Sequence, residues 1–268
     1  MPMVRGKNGT PIYVYDPNPF GKKTIVFIHG WPLNHQMFEY QFSALPDYRC
    51  VALDLRGFGQ SAAPSAAYDY DTYVDDLAAV VKQLGLKQFI LAGFSMGGAI
   101  VLHYMKKHRG AGVKKLIFMS AAAPCFTKQE GFPYGLDKSA VSSLIAQGIQ
   151  NRPAMLENFN KLFFTGETQD EAFKNWCTYL SYQASGIGTM ESLYTLQNAD
   201  LRDDTRYVQV PTAIFHGKLD QVCLFELGEQ LQKMIPQAEL YPFEKSGHCI
   251  FHDELEKFNH EFTMFIEK

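Results

Sequence analysis

The sequence predicts an α/β architecture: a mostly parallel, eight-stranded sheet flanked by helices, with a helical segment inserted late in the chain. Three observations predict it. Short runs of β-branched and aromatic residues alternate with stretches of helical spacing. Those runs are apolar at successive positions, as in strands buried on both faces of a parallel sheet. The alternation then fails between residues 123 and 206, where aromatics, prolines and glycines crowd together.

The elements follow in order. Residues 3–4 and 11–15 read as an antiparallel hairpin at one sheet edge. Residues 24–29 (TIVFIH) and 50–55 (CVALDL) are buried strands, ending at Gly30 and at Arg56-Gly57. Residues 73–84 place Val74, Leu77, Val80, Val81 and Leu84 at helical spacing. A third buried strand, 88–93 (QFILAG), leads into a helix over 95–108 with Ile100, Val101, Tyr104 and Met105 in a stripe. Strands at 115–120 (KLIFMS), 212–216 (TAIFH) and 239–243, with helices at 228–235 and 255–266, complete the pattern. Strand–helix alternation of this kind implies right-handed crossovers in one doubly wound sheet.

A chain of 268 residues suits one domain with an insertion. Residues 1–122 and 207–268 are expected to form the core, and 123–206 a helical cap. A structureless connection of that length is improbable in a compact domain. Helical spacing returns inside it at 140–146 and 155–164, among Pro124, Pro133, Gly135, Pro153, Gly166, Gly186 and Gly188. Its aromatics, Phe126, Phe159, Phe163, Phe173 and Trp176 among them, serve packing, a substrate pocket wall, or both.

Composition excludes several function classes. With 46% hydrophobic and 20% charged residues the chain can bury a large core, so disorder is not expected. The formal charge is −3, without the basic excess of nucleic-acid binders. The densest basic stretch, Lys106, Lys107, His108 and Arg109, ends a predicted helix, where cations complement the helix dipole. The five cysteines are odd in number and form no Cys-x-x-Cys pair, so neither a disulfide framework nor a zinc site is indicated. The opening MPMVRGKNGT lacks the apolar run of a signal peptide. No stretch approaches the ~18 apolar residues needed to span a bilayer. A reduced, cytoplasmic protein without a membrane partner is expected.

Gly93-Phe94-Ser95-Met96-Gly97 carries the sharpest chemical signal. Gly-x-Ser-x-Gly alone arises by chance in roughly one chain of this size in ten. Its strand–turn–helix setting makes it informative. Gly93 and Gly97 flank the serine in a tight turn where side chains would clash. The turn lifts the Ser95 hydroxyl clear of the sheet, beside a helix N-terminus that favours developing negative charge. The competing reading is an ordinary N-capping serine.

A serine nucleophile needs a base, and an imidazole needs an acid to fix its tautomer. His248, in Ser246-Gly247-His248, follows the strand at 239–243, so it faces the same rim as Ser95. His252 is its rival. A metal site on His248 and His252 would need a third ligand, which the sequence does not offer. Asp220 closes His216-Gly217-Lys218-Leu219-Asp220 after the strand at 212–216, or else caps the following helix. Asp253 and Asp200 are weaker candidates, and Asp54 reads as a loop brace. The order Ser95, Asp220, His248 is that of the nucleophile-elbow hydrolases. An oxyanion hole would take the backbone N–H of Met96 and that of Trp31, where Gly30 lets the loop approach and Pro32 has no N–H to offer. His29 reads as a loop brace or a satisfied loop histidine.

His29-Gly30-Trp31-Pro32, Asp54-Leu55-Arg56-Gly57-Phe58-Gly59-Gln60-Ser61, Gly93-Phe94-Ser95-Met96-Gly97-Gly98, Asp220 and Ser246-Gly247-His248 follow one another along the chain. Together they resemble the α/β-hydrolase superfamily, most of all its cofactor-free (non-haem) haloperoxidase and arylesterase group. The resemblance extends from about residue 24 to the C-terminus. Ala99-Ile100 departs from the further glycine and acidic residue that group members tend to carry after the nucleophile. The resemblance implies the α/β-hydrolase fold, the triad Ser95–Asp220–His248, oxyanion donors at Trp31 and Met96, no cofactor, and hydrolysis of small-molecule carboxylic esters. Trp31-Pro32 further implies perhydrolysis, with peroxide replacing water, as a side activity. A lactonase and a carbon–carbon bond hydrolase use the same triad and stand as alternatives. A catalytically silent hydrolase-fold ligand-binding protein is the non-enzyme alternative, and it usually lacks one triad member.

Overall fold

The computed structural model describes residues 3–164 and 170–268. Gly166 lies outside them. Strands β1 (Met3–Arg5) and β2 (Pro11–Tyr15) form the hairpin expected at the sheet edge. Strand β3 (Thr24–Ile28) leads through a 3₁₀ turn at His35–Phe38 into the short helix α1 (Glu39–Ala44) and on to β4 (Arg49–Leu53). Helix α2 (Tyr70–Gln83) starts where the Asp69 carboxylate accepts from the Thr72 amide at 2.7 Å. Its buried face carries Tyr73, Val74, Leu77, Val80 and Val81. Each such side chain contributes about 1.5–3 kcal/mol when fully buried.

Strand β5 (Phe89–Phe94), helix α3 (Met96–Lys107) and strand β6 (Val113–Met119) form the centre of the molecule. All six residues of β5 are buried, as two covered faces demand. Helices α4 (Lys138–Asn160), α5 (Glu171–Tyr182) and α6 (Gly186–Asn198) then intervene before β7 (Thr212–Gly217). Helix α7 (Phe225–Met234), β8 (Ala238–Phe243), α8 (Ile250–Asp253) and α9 (Leu255–Glu267) end the chain.

The eight strands form one sheet in the order β1-β2-β4-β3-β5-β6-β7-β8. The β1–β2 and β2–β4 pairs are antiparallel; from β4 to β8 every pair is parallel. The carboxyl ends of β3, β5, β7 and β8 therefore open onto one rim, where ligands bind in sheets of this type.

Helix α4 joins the two stretches of helical spacing that the sequence shows. It kinks at Asn151 (φ −155°, ψ 83°), two residues before Pro153. The Asn151 side chain accepts from the Ala154 amide at 3.2 Å and so restarts the helix after the kink. Helix α6 has no counterpart among the helical stretches read from the sequence, and both Gly186 and Gly188 fall in it. They lie at its first turn, where Ser185 caps the Gly188 amide at 2.9 Å. Gly188 marks a close approach: a Cβ there would come within 2.8 Å of the Gly57 carbonyl oxygen.

The basic end of α3 is neutralised by carboxylates. Lys106 pairs with Asp204 at 2.7 Å, Lys107 with Asp71 and Asp75, and His108 with Asp75 at 3.0 Å. His103, on the same helix, bridges Asp204 and Asp71. Burial opposes its charge, yet those two carboxylates hold its pKa above the ordinary value. Among the described residues, no helix is long and apolar enough to cross a membrane.

Candidate active site

Ser95 occupies the single residue between β5 and α3, at φ 53° and ψ −118°. An L-residue rarely adopts that conformation, and surrounding bonds must hold it there. The Ser95 amide donates to Met119 O at 3.0 Å, and its carbonyl accepts from Gly98 N and Ala122 N at 2.9 Å each. A side chain on Gly93 would collide with the Gly97 carbonyl, and one on Gly97 with the carbonyl of Ile28. Gly-x-Ser-x-Gly is thus a packing requirement: only bare backbone lets the turn fit against β3.

The loop after β3 lies directly on this turn. A Cβ on Gly30 would sit 2.7 Å from Ser95 Cβ and 2.8 Å from Phe94 Cδ1. Trp31 is buried, its indole N–H donating to Thr189 O of α6 at 3.0 Å and its ring edge-on to Phe159 of α4 at 4.7 Å. Met96 is the first residue of α3, and first-turn amides have no intrahelical acceptor. Among the described residues, no turn or loop hydrogen bond engages the Trp31 or the Met96 amide.

His248 and Asp220 meet from β8 and β7. His248 Nδ1 lies 2.8 Å from Asp220 Oδ2, and both side chains are fully buried. Asp220 Oδ1 accepts from Val222 N at 2.8 Å and from Cys223 N at 2.9 Å. One carboxylate therefore makes both contacts considered from sequence: one oxygen closes the turn before α7, the other faces the imidazole. A neutral ring that gives its Nδ1 hydrogen to a carboxylate has a bare lone pair at Nε2. Among the described residues, His248 Nε2 is buried without a hydrogen-bond partner. The ring packs on Phe94, next to Ser95, at 4.6 Å between centroids, and on Phe163 at 5.2 Å. The Ser95 hydroxyl is turned toward Cys223, with Oγ and Sγ 3.9 Å apart. No hydrogen bond joins Ser95 to His248 in this arrangement.

Other candidates go elsewhere. His252 stacks on Phe173 of α5 at 3.5 Å, with Asp170 3.7 Å from Nε2. Asp200 pairs with Arg202 at 2.6 Å, and Asp253 accepts from the Gly247 amide at 2.8 Å. His29 accepts from Leu55 N at Nε2, 2.9 Å away, bracing the loops after β3 and β4. Burial lowers its pKa to about 4, so it stays neutral. Asp54 accepts from His35 N, His35 Nδ1 and Gln60 N, all within 2.8 Å. Burial alone would raise its pKa, but these donors hold it below the ordinary value. Cys223, whose burial drives its thiol well above the ordinary pKa, was not singled out by the sequence. Nothing in the local pattern distinguishes it from an apolar pocket residue.

A pocket above Ser95 is lined by Trp31, Phe126, Leu144, Phe159, Leu193, Leu196 and Val222. It offers about 10 Å³ to the centre of a water molecule, room for about one water. Among the described residues, no group of three or more His, Cys, Asp or Glu is placed to hold a metal ion.

Residues 23–255 match the family described as "alpha/beta hydrolase fold". The chain belongs to the α/β-hydrolase family. This α/β hydrolase is 46% identical, over 91% of both chains, to an AB hydrolase superfamily protein (YisY) of Bacillus subtilis. It is 42% identical to an esterase from Exiguobacterium antarcticum, with a TM-score of 0.96 over 99% of both chains. It is 32% identical to a bromoperoxidase from Bacillus anthracis, with a TM-score of 0.94 over 99% of both. The α/β hydrolase thus stands near the non-haem haloperoxidase and esterase group, as its motifs suggested.

Proposed function

We propose that the chain is a serine esterase that cleaves small carboxylic esters through an acyl-enzyme. The observation that carries this reading is the imidazole of His248. Its Nδ1 faces the Asp220 carboxylate at 2.8 Å, while Nε2 has no partner. That is a base held ready, beside a serine on a strained turn. Ser95 Oγ attacks the ester carbonyl as His248 Nε2 takes its proton. The Trp31 and Met96 amides receive the developing oxyanion, and the imidazolium protonates the leaving alcohol. Water then attacks the acyl group, with His248 again as base.

The helices between β6 and β7 act as a cap over this centre. Leu144, Phe159, Leu193 and Leu196 give the pocket an apolar wall with no charged group, which suits a short acyl chain. With room for only about one water, the cap must yield for a substrate to enter. Peroxide in place of water would yield a peracid; Trp31-Pro32 beside the nucleophile and the likeness to a bromoperoxidase favour this as a side activity.

Hydrolysis of p-nitrophenyl esters of graded acyl length tests the reading, with and without peroxide. Short esters are expected to turn over fastest. Ser95→Ala and His248→Ala should each lose about 10³-fold or more in kcat. A Ser95→Ala protein that hydrolyses these esters at the wild-type rate would reject it.

A further inference from the structure

A second imidazole stands against the Asp220 carboxylate, and the mechanism does not use it. His216, near the end of β7, is completely buried. Its Nε2 lies 2.7 Å from the carbonyl oxygen of Cys223 and 3.6 Å from Asp220 Oδ2. A carbonyl can only accept, so Nε2 carries the hydrogen. Nδ1 is buried without a partner among the described residues. It abuts α7, where a Cβ on Gly228 would come within 2.9 Å of Nδ1 and 3.2 Å of Cγ. Phe225 closes the other side, edge-on at 5.8 Å.

We propose that His216 is a positioning residue for the reaction: it locks the Asp220–Cys223 turn so that the carboxylate stays aimed at His248. The proposal rests on the triad reading above. The lock works from two sides. The Cys223 amide donates to Asp220 Oδ1, and the Cys223 carbonyl accepts from His216. The turn therefore cannot rotate without breaking a buried hydrogen bond. With Oδ1 held by two amides, Oδ2 is left for His248. The same turn presents Cys223 Sγ to the nucleophile.

Neutrality is part of the design. The charged or titratable groups facing the ring are Asp220 and His248, with the Cys223 carbonyl. Burial lowers the pKa of His216 despite the nearby carboxylate. A charged His216 would compete with the His248 imidazolium for one carboxylate. The unpartnered Nδ1, pressed against Gly228, gives a second proton no acceptor.

The test uses the full-length enzyme and three variants. His216→Phe keeps a flat buried ring and removes the donor. His216→Gln keeps an N–H able to reach the Cys223 carbonyl. Gly228→Ala pushes on the ring from α7 and removes no hydrogen-bonding group. Misplacement of a reacting group by about 1 Å can cost about 10²-fold in rate. We expect His216→Phe to lose about 10–100-fold in kcat, on that same basis, with KM unchanged, because His216 does not line the pocket. The acid limb of its kcat/KM profile should move, because a turn free to rotate no longer holds the carboxylate fixed beside the imidazole that serves as base. His216→Gln should recover most of kcat and the wild-type limb, and Gly228→Ala should fall between. Should His216→Phe fail to fold, the Gln and Ala variants carry the same comparison. An unchanged kcat and acid limb in folded His216→Phe or Gly228→Ala would overturn the lock while leaving the triad standing. Failure of wild type to take up a fluorophosphonate at Ser95 would overturn both.

Discussion

Replacing Asp220 by Asn separates the two duties of one carboxylate. Oδ1 accepts two backbone amides and Oδ2 faces His248 Nδ1. An asparagine cannot present its NH₂ to the two amides without placing donors against donors, so its carbonyl oxygen stays at the Oδ1 position. The NH₂ then faces His248 Nδ1, which must become the acceptor. The ring is forced into its Nε2–H tautomer and can no longer take the Ser95 proton. The expected loss in kcat is about 10⁴-fold, or about 5.5 kcal/mol in barrier. Stability should fall much less, by about 1–2 kcal/mol, since only charged acceptors become neutral ones. Asp220→Ala would leave both amides without an acceptor, at about 1–3 kcal/mol each. Steady-state p-nitrophenyl acetate hydrolysis and thermal melts separate the two effects. A folded Asp220→Asn enzyme within tenfold of the wild-type kcat would refute the tautomer argument.

Three further outcomes are expected. Gly30→Ala drives a methyl against Ser95 Cβ and Phe94, displacing the Trp31 amide; kcat should drop about 10²-fold with KM little changed. If KM rises while kcat holds, the loop serves ground-state binding instead. Leu196→Ala enlarges the pocket and should shift the optimum among p-nitrophenyl esters toward longer acyl chains, whereas an unmoved optimum would place the acyl group elsewhere. His29 gives the protein an acid sensitivity. Its folded pKa is about 4 against an ordinary 6.5, so below pH 6.5 the unfolded chain binds a proton that the native ring refuses. The resulting stabilisation is complete above pH 6.5 and is lost as the pH falls toward 4, by about 3 kcal/mol. Melting temperatures across this range should fall less steeply for His29→Gln, and parallel curves would contradict the assignment.

The strands and the site geometry were unequally legible. Continuous apolar runs such as TIVFIH and QFILAG read as buried parallel strands because they are short, rich in β-branched or aromatic residues, and end at a turn glycine. The turn at Ser95 was readable because its glycines answer to a steric demand. The segment between β6 and β7 was read only in outline. There tertiary contact overrides local signal: glycine disfavours a helix, yet Gly188 is the point where α6 presses on Gly57. Helix α1, only six residues long, carries too little periodicity to detect. His216 was visible as part of a loop motif, but its role depends on Gly228 and the Cys223 carbonyl, which sequence spacing does not bring together. The Ser95 hydroxyl facing Cys223 rather than His248 is likewise a rotamer choice that no pattern encodes.

The proposed reaction depends above all on Ser95 being the group that the His248–Asp220 pair activates. Peptide mass mapping after brief exposure to a fluorophosphonate reads this directly. Stoichiometric phosphonylation of Ser95 is predicted, greatly slowed in His248→Ala and absent in Ser95→Ala. An unmodified Ser95 in active enzyme, or a label carried by another residue at the same rate, would contradict it.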